Sequence, residues 1–276
     1  MIDLLQITND PVFARRCDAL DGMRLWVDLE RLGKAERQAG RNTFITTHTM
    51  EDVGRIKSVL RRSPLMVRIN PLNPATAAEV DDALAQGADW LMLPMFSTAA
   101  EVEEFLRLVD RRAPVTPLLE TAQALECLED WVGTPGLAEV FVGLNDLHLS
   151  LGCRFMFEPL AMGLVDRAAA VVHARGLRFG FGGIARLDQG QLPGRDVLAE
   201  HVRLGSRAVI LSRTFHGDPS GVPFEAEVAQ LRAAEAGLEL RTAAQRQADQ
   251  LRVAAIIRSI AGRTGLYGAP SSREAP

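Results

Sequence analysis

Short apolar runs recur along the chain, with longer amphipathic segments between them. The runs are Ile2–Thr8, Met23–Leu29, Leu65–Asn70, Trp90–Met95, Val115–Glu120, Val140–Leu144, Leu177–Ile184 and Ala208–Ser212. They are apolar at consecutive positions, so both faces need cover, as in a parallel sheet flanked by helices. From the third run to the sixth the starts lie about 25 residues apart, room for one strand, one helix and two short loops. The segments between have helical spacing. "PATAAEVDDALAQGA" opens on a proline suited to a first turn and closes at Gly87, a C-cap candidate. "STAAEVEEFLRLVDRR" offers Ser97 and Thr98 as N-caps, with acids in its first turn.

Alternating strands and helices predict a parallel α/β fold. Eight strands favour a closed (β/α)8 TIM barrel over an open doubly wound sheet. No GxGxxG follows the first run, which also speaks against a dinucleotide-binding sheet. Two stretches stand outside this count. "NTFITT" (Asn42–Thr47) is assigned to an extended connection after the second strand. Beyond Phe215, a Pro/Gly/Ser break at Pro219–Pro223 leads into an Ala-, Arg- and Glu-rich helical stretch, Phe224–Ile260, with an expected interruption near Gly237. The predicted organisation is a barrel over 1–216 and a C-terminal helical extension over 217–276, its final "GAPSSREAP" disordered. The apolar stripe of "VAQLRAAEAGLEL" and "ADQLRVAAIIRSIA" exceeds what a capping helix needs, which predicts a homo-oligomer.

Composition narrows the function classes. Of 276 residues, 47% are hydrophobic, 24% charged and 5% aromatic, an ordinary globular balance. A formal net charge of -4, with 31 Lys and Arg scattered among acids, gives no concentrated basic face for nucleic acid. No apolar run approaches the ~18 residues of a membrane span. The opening "MIDLLQITND" lacks a signal peptide's basic start and cleavage site. Cys17, Cys127 and Cys153 are odd in number, far apart and outside any CxxC, which predicts reduced packing cysteines in a cytoplasmic protein.

Candidate chemistry lies at the C-terminal ends of the strands, where barrel loops converge. Strand two ends in Asp28 and Glu30, strand three in Arg68 and Asn70, strand five in Glu120, and strand six in Asn145 and Asp146. Strand seven runs into Gly182 and Gly183 and then Arg186, and strand eight leads to Arg213. Any one of these is unremarkable in a solvated loop; so many charges on one rim predict a site. Glu120 and Asp146 close adjacent strands, which lie about 4.8 Å apart. Two carboxylates that close repel unless a proton or cation stands between them. Magnesium takes oxygen ligands, commonly one or two carboxylates plus water and substrate. A metal beside Arg68 suits a developing enolate or a carboxylate.

The segments "LMVRIN", "GADWLMLPM", "LLET" and "VFVGLNDLHLSLG", in this order and spacing, resemble the HpcH/HpaI aldolase and citrate lyase β-subunit family over about residues 20–215. The resemblance implies a (β/α)8 barrel that makes or breaks carbon–carbon bonds beside a carbonyl, through a pyruvate- or acetyl-derived enolate. It also implies Mg2+, Mn2+ or another divalent cation. By position, Glu120 and Asp146 match the metal ligands, and Arg68 the arginine that stabilises the enolate oxygen. The N–H groups of Asn145 and Asp146 match the turn that receives the substrate carboxylate. The expected partner is a small anionic 2-oxo or hydroxy acid.

One departure qualifies this. Aldolases of the family usually place a proton-transfer histidine after the second-strand glutamate, and here Arg31 stands there. His48 is the candidate to replace it, with Glu30 as its orienter. His148 is read as a turn residue. Arg186 and Arg213 suit a second substrate carboxylate, or ordinary salt bridges with Asp188 or Glu200. "GFGGIAR" allows either a phosphate cradle or tight barrel packing. Three readings stay open: a metal-dependent lyase or aldolase, a CoA- or carrier-thioester lyase, and a non-catalytic binding barrel.

Overall fold

A computed structural model describes residues 1–34, 47–215 and 221–264 of the chain. Eight strands form a closed parallel barrel in chain order: β1 (Asp3–Ile7), β2 (Met23–Asp28), β3 (Leu65–Arg68), β4 (Trp90–Leu93), β5 (Val115–Leu119), β6 (Glu139–Val142), β7 (Arg178–Ile184) and β8 (Ala208–Leu211). All eight predicted strands are present. Most end a residue or two earlier than their apolar runs, so Asn70 and Glu120 lie beyond their strands and Asn145 and Asp146 in the helix after β6.

Side-chain alternation sorts the strands into two cores. Outward-facing Leu25, Val27, Leu65, Val67 and Leu91 pack under the helices. Inward-facing Leu5, Trp26, Met66, Met92, Leu118, Phe141 and Ala208 fill the barrel's middle layer. Several residues two before or two after this layer along the strands are charged, notably Arg24 and Asp28 on either side of Trp26, Arg68 after Met66, Glu120 after Leu118 and Glu139 before Phe141. The barrel therefore carries an apolar waist between two charged ends.

The helices are α1 (Pro11–Asp18), α2 (Met50–Lys57), α3 (Thr76–Ala85), α4 (Ala99–Val109), α5 (Ala122–Glu126), α6 (Leu128–Trp131), α7 (Leu144–Ser150), α8 (Glu158–Ala161), α9 (Leu164–Ala174), α10 (Gly194–Arg203), α11 (Phe224–Glu239) and α12 (Ala243–Thr264). A single 3-10 turn spans Arg213–Phe215. Thr98 caps α4, its Oγ1 accepting from the Glu101 N–H while the Glu101 carboxylate accepts from the Thr98 N–H. Gly87 follows α3 at φ 95°, the left-handed conformation a C-cap glycine supplies.

Phe224 of α11 meets Phe13 of α1 edge to face, with ring centroids 4.9 Å apart. The predicted interruption near Gly237 falls later, at 240–242. A glycine costs a helix only about 1 kcal/mol, and Thr242 supplies the stronger signal by starting α12. Its Oγ1 accepts from the Gln245 N–H at 3.3 Å, and the Gln245 side chain accepts from the Thr242 N–H at 2.9 Å. The stripe that suggested a partner chain is largely covered from within, because Val253, Ile257 and Ile260 of α12 join the core. Leu240 and Leu251 stay exposed. The Asn42–Thr47 connection, apart from Thr47, and the 268–276 tail lie outside the described residues. Among the described residues no helix is long and apolar enough to cross a membrane, and all three cysteines are free.

Candidate active site

The end of β2 supplies the anchor of the rim. Arg68, at the end of β3, donates from Nε and Nη2 to the two oxygens of Asp28, both at 2.8 Å. Its Nη1 lies 3.2 Å from Glu30 Oε2. Lys34 reaches the same oxygens from the loop, with Nζ 2.7 Å from Asp28 Oδ2 and 3.6 Å from Glu30 Oε2. The Trp26 ring lies 5.0 Å from the guanidinium carbon. A guanidinium has five N–H donors, and these contacts engage three, so Arg68 is fixed in place with two N–H groups left. Burial works against ionising Asp28, but Arg68 and Lys34 outweigh it and hold its carboxyl well below the usual carboxylate range. Burial likewise opposes the Arg68 charge, and Asp28 and Glu30 more than offset it.

Glu120 sits just past β5 and is 2% exposed. Its Oε1 accepts the Met95 N–H at 3.1 Å. Met95 is held at φ 54°, a left-handed conformation unusual for a side-chain-bearing residue, which helps to aim that N–H. Its other oxygen faces Gly143, where a Cβ would come within 2.8 Å of Oε2. Glycine at 143 therefore makes room for the carboxylate. Burial, and then the neighbouring Asp146 carboxylate, push the Glu120 carboxyl well above its ordinary value, with Arg68 only partly offsetting them.

Asn145 and Asp146 lie in the first turn of α7 rather than in an open loop. The Leu147 N–H donates to Gly143 O, so the N–H groups of Leu144, Asn145 and Asp146 precede the first bond of that helix. His148 turns back onto its own helix, with Nδ1 3.1 Å from Leu144 O.

His48 is brought to the rim, but in a different role from the one expected. Its Nδ1 accepts the backbone N–H of Asp28 at 3.1 Å. The ring proton therefore sits on Nε2, and burial lowers the pKa against the opposing pull of Asp28 and Asp52. As placed, Nε2 is the ring nitrogen that Asp28 does not engage. Glu30, its expected orienter, instead faces Arg68 and Lys34. Arg31 ties loops together, its N–H donating to Asn70 Oδ1 at 2.8 Å and its Nη2 to His48 O at 2.9 Å.

Arg186 and Arg213 follow β7 and β8. Arg186 is buried 3.8 Å from Glu227 of α11, not paired with Asp188 or Glu200. Those acids are taken by Arg195 and Arg203. Arg213 is exposed in the 3-10 turn. The charges acting most on Glu120 are Asp146, Arg68 and Glu30, and neither of these arginines is among them. In "GFGGIAR", a Cβ on Gly180 would lie 2.6 Å from the Phe141 ring and 2.8 Å from Ala208 Cβ, which favours the packing reading.

Four residues of the site escaped sequence reasoning in these roles: Asp28 as anchor, Lys34, Met95 and Gly143. Period-two alternation with Arg24 and Trp26 marks Asp28 as inward-facing. Nothing local marks Lys34.

Among the described residues no group of three or more His, Cys, Asp and Glu side chains is arranged for a metal. A nitrogen- or sulfur-rich zinc site is thus not what these residues build. Buried Glu120 beside half-buried Asp146 fits a cation that draws its other ligands from water and substrate, as magnesium does.

Comparison with known proteins gives a family match over part of the chain and likenesses of fold. Residues 58–175 match the sequence profile of the HpcH/HpaI aldolase/citrate lyase family. A (3S)-malyl-CoA thioesterase of Cereibacter sphaeroides is 32% identical over 98 residues, which is 35% of this chain and 34% of the relative. The match thus spans about a third of that curated relative's length. An HpcH/HpaI aldolase from Desulfitobacterium hafniense superposes with a TM-score of 0.61 at 16% identity, covering 87% of this chain and 94% of that one. A citrate lyase β subunit from M. tuberculosis, complexed with oxaloacetate and magnesium, gives 0.57 at 19% identity, covering 85% and 96%. At these identities the superpositions bear on fold alone.

Proposed function

With residues 58–175 assigned to the HpcH/HpaI aldolase/citrate lyase family, we propose that this chain is a divalent-metal-dependent carbon–carbon lyase or aldolase. Its substrate is a small 2-oxo or hydroxy acid, and the reaction proceeds through a pyruvate-type enolate. The observation that carries this reading is the proximity of the Glu120 and Asp146 carboxylates to each other and to a guanidinium locked by Asp28.

Glu120 and Asp146 hold the cation, Mg2+ or Mn2+, which when bound supplies Lewis-acid polarisation of a carbonyl oxygen. Arg68 offers its two remaining N–H donors to the oxygen on which negative charge grows. It needs no reorganisation, because Asp28 and Glu30 have already fixed it. The first-turn N–H groups of Asn145 and Asp146 receive the substrate carboxylate. The Nε2–H of His48 serves as a further donor at the rim, and Arg213 meets a second carboxylate where the substrate has one.

Proton–deuterium exchange at the methyl group of pyruvate, followed by NMR with and without added magnesium, tests enolate formation without knowledge of the second substrate. Metal-dependent exchange supports the proposal. Absence of exchange with pyruvate and related acids, in protein shown to bind the metal, overturns it. A second reading, a CoA-thioester substrate, is favoured by the malyl-CoA thioesterase relative. Release of free thiol from acetyl or malyl thioesters distinguishes it.

A further inference from the structure

Glu120 and Thr121 grip the turn after β4 at two adjacent residues. Glu120 Oε1 accepts the Met95 N–H at 3.1 Å, and the Thr121 hydroxyl donates to Phe96 O at 2.8 Å. Glu120 and Thr121 are 2% and 5% exposed, so little water competes for either bond. The same hydroxyl accepts the Ala124 N–H at 3.1 Å and so caps α5. A hydroxyl has one proton to give. With Ala124 on its oxygen, that proton is aimed at Phe96 O. The Phe96 ring is anchored in turn, edge-on to Trp131 with centroids 4.9 Å apart.

One hydrogen bond sets a distance and leaves rotation about its line. A second contact on the next residue removes that freedom. Met95 makes the second contact necessary, because its φ of 54° is a strained backbone that persists only where its surroundings hold it. A turn released at Phe96 relaxes at Met95, and the Met95 N–H swings off Oε1. The Glu120 carboxylate then loses the bond that keeps Oε2 toward Gly143.

We propose that Thr121 is a positioning residue for Glu120, acting through the Met95–Phe96 turn. The assignment rests on the proposed metal role of Glu120 and Asp146. An ordinary helix cap stabilises the fold without touching metal affinity, so the two roles part in what they predict.

The test is calorimetric titration of magnesium into the full-length protein and its Thr121→Val, Thr121→Ser and Thr242→Val variants, with urea unfolding of each. Thr121→Val keeps the shape and loses the hydroxyl. Its magnesium binding is expected to weaken about 10-fold, the low end of the cost of losing a hydrogen-bond partner behind a metal ligand. Thr121→Ser keeps both bonds and should bind within about threefold of wild type, short of that range. Thr242 Oγ1 caps α12 by accepting the Gln245 N–H at 3.3 Å, far along the chain from the rim. Thr242→Val should therefore lower stability and leave magnesium affinity unchanged. Wild-type affinity in Thr121→Val overturns the role of Thr121 and leaves the metal site standing. Thr121→Ser as weak as Thr121→Val overturns it too, because the methyl group and not the hydroxyl then matters. Equal weakening in Thr242→Val does the same, since loss of any cap would then suffice. If Thr121→Val does not fold, Thr121→Gly replaces it and is held to the same outcomes. Glycine is a serviceable N-cap and also lacks the hydroxyl. A wild-type protein that binds no magnesium overturns the metal reading, and the role of Thr121 with it.

Discussion

The two ends of the barrel solve opposite problems with the same residue types. At the N-terminal end, Arg24 donates to Glu139 at 2.7 Å and to Asp3 at 2.7 Å, and stacks 4.3 Å from the centre of the Trp90 ring. Arg178 closes the group on Asp3 and Glu139 at 2.6 and 3.3 Å. Thr116 donates to Glu139 while its hydroxyl accepts from Trp90 Nε1. Two carboxylates meet two guanidiniums, and the plug is electrically complete. At the C-terminal end, Arg68 and Lys34 meet Asp28 and Glu30, while the nearby Asp146 carboxylate adds to burial in pushing the Glu120 carboxyl upward. Burial is similar at the two ends, since Glu139 is 0% exposed and Glu120 2%. What separates the two ends is therefore the company of the buried carboxylate, two guanidiniums for Glu139 and a second carboxylate for Glu120, rather than depth.

The sharpest way to break the comparison is to unbalance the plug. Removing one partner of a buried pair typically costs about 3 to 5 kcal/mol. Arg24→Met is therefore expected to destabilise the protein by about that amount, measured by urea unfolding, while magnesium affinity of the folded fraction stays unchanged. If Arg24→Met alters metal affinity as much as stability, the two ends are not independent. The converse substitution belongs to the rim. Arg68→Lys keeps the charge but loses the planar fork, and is expected to cost roughly 3 to 4 kcal/mol in activation, about 10² to 10³ in turnover. The exchange assay reads the loss, and a matching drop in unfolding free energy would place Arg68 with the plug instead.

The two ends of the barrel were not equally legible in the sequence. Eight apolar runs at regular spacing are enough for the barrel, because each strand must bury both faces whatever its neighbours are. The rim carboxylates and Arg68 follow from the rule that polar residues at strand ends point into the loops' common mouth. The plug was not read, although Arg24 and Glu139 sit inside or beside apolar runs where an unpaired charge could not survive. Their pairing across the barrel joins β2 to β6, which no local pattern encodes. Lys34 was missed for the same reason, since its reach back to Asp28 depends on a loop turn held by the Lys34 N–H donating to Arg31 O at 3.2 Å. His48 shows the complementary failure: its place near the rim was legible, but its tautomer was not. That depends on one backbone N–H, at Asp28, pointing at Nδ1.

A smaller effect sharpens the electrostatic side of the comparison. Glu120 has a folded-state pKa above its unfolded value of 4.5, caused first by burial and then by Asp146. A carboxyl shifted upward binds its proton more tightly in the folded state. Its contribution to stability is thus fully present below pH 4.5 and is lost as pH rises through the folded pKa. Metal-free protein should therefore lose stability on that rise, and Glu120→Gln should flatten this part of the curve. Magnesium should act in the same direction as the substitution by replacing the proton with a cation. Unfolding midpoints across pH, with chelator and with magnesium, check both expectations. Coincident curves for the wild type and Glu120→Gln would mean that the carboxylate pair is not strained.

The smallest effect concerns the backbone that presents Glu120. Met95 holds a left-handed φ of 54° while its N–H donates to Glu120 Oε1. A side chain in that conformation costs on the order of 1 kcal/mol, which glycine avoids. Glycine also gains freedom in the unfolded chain, so the net gain from Met95→Gly is expected to be only about 0.5 kcal/mol. The N–H is retained in that variant. If strain at 95 merely accommodates a tight turn, Met95→Gly should be slightly more stable with unchanged magnesium affinity. If the strained backbone is what pins Oε1 and leaves Oε2 facing the Gly143 opening, the looser glycine should weaken magnesium binding by a few fold, because one carboxylate ligand is no longer pre-aimed. Calorimetric titration of magnesium into the two proteins separates these outcomes. Only the second makes the turn after β4 part of the site, where the rim differs from the plug in backbone as well as in charge.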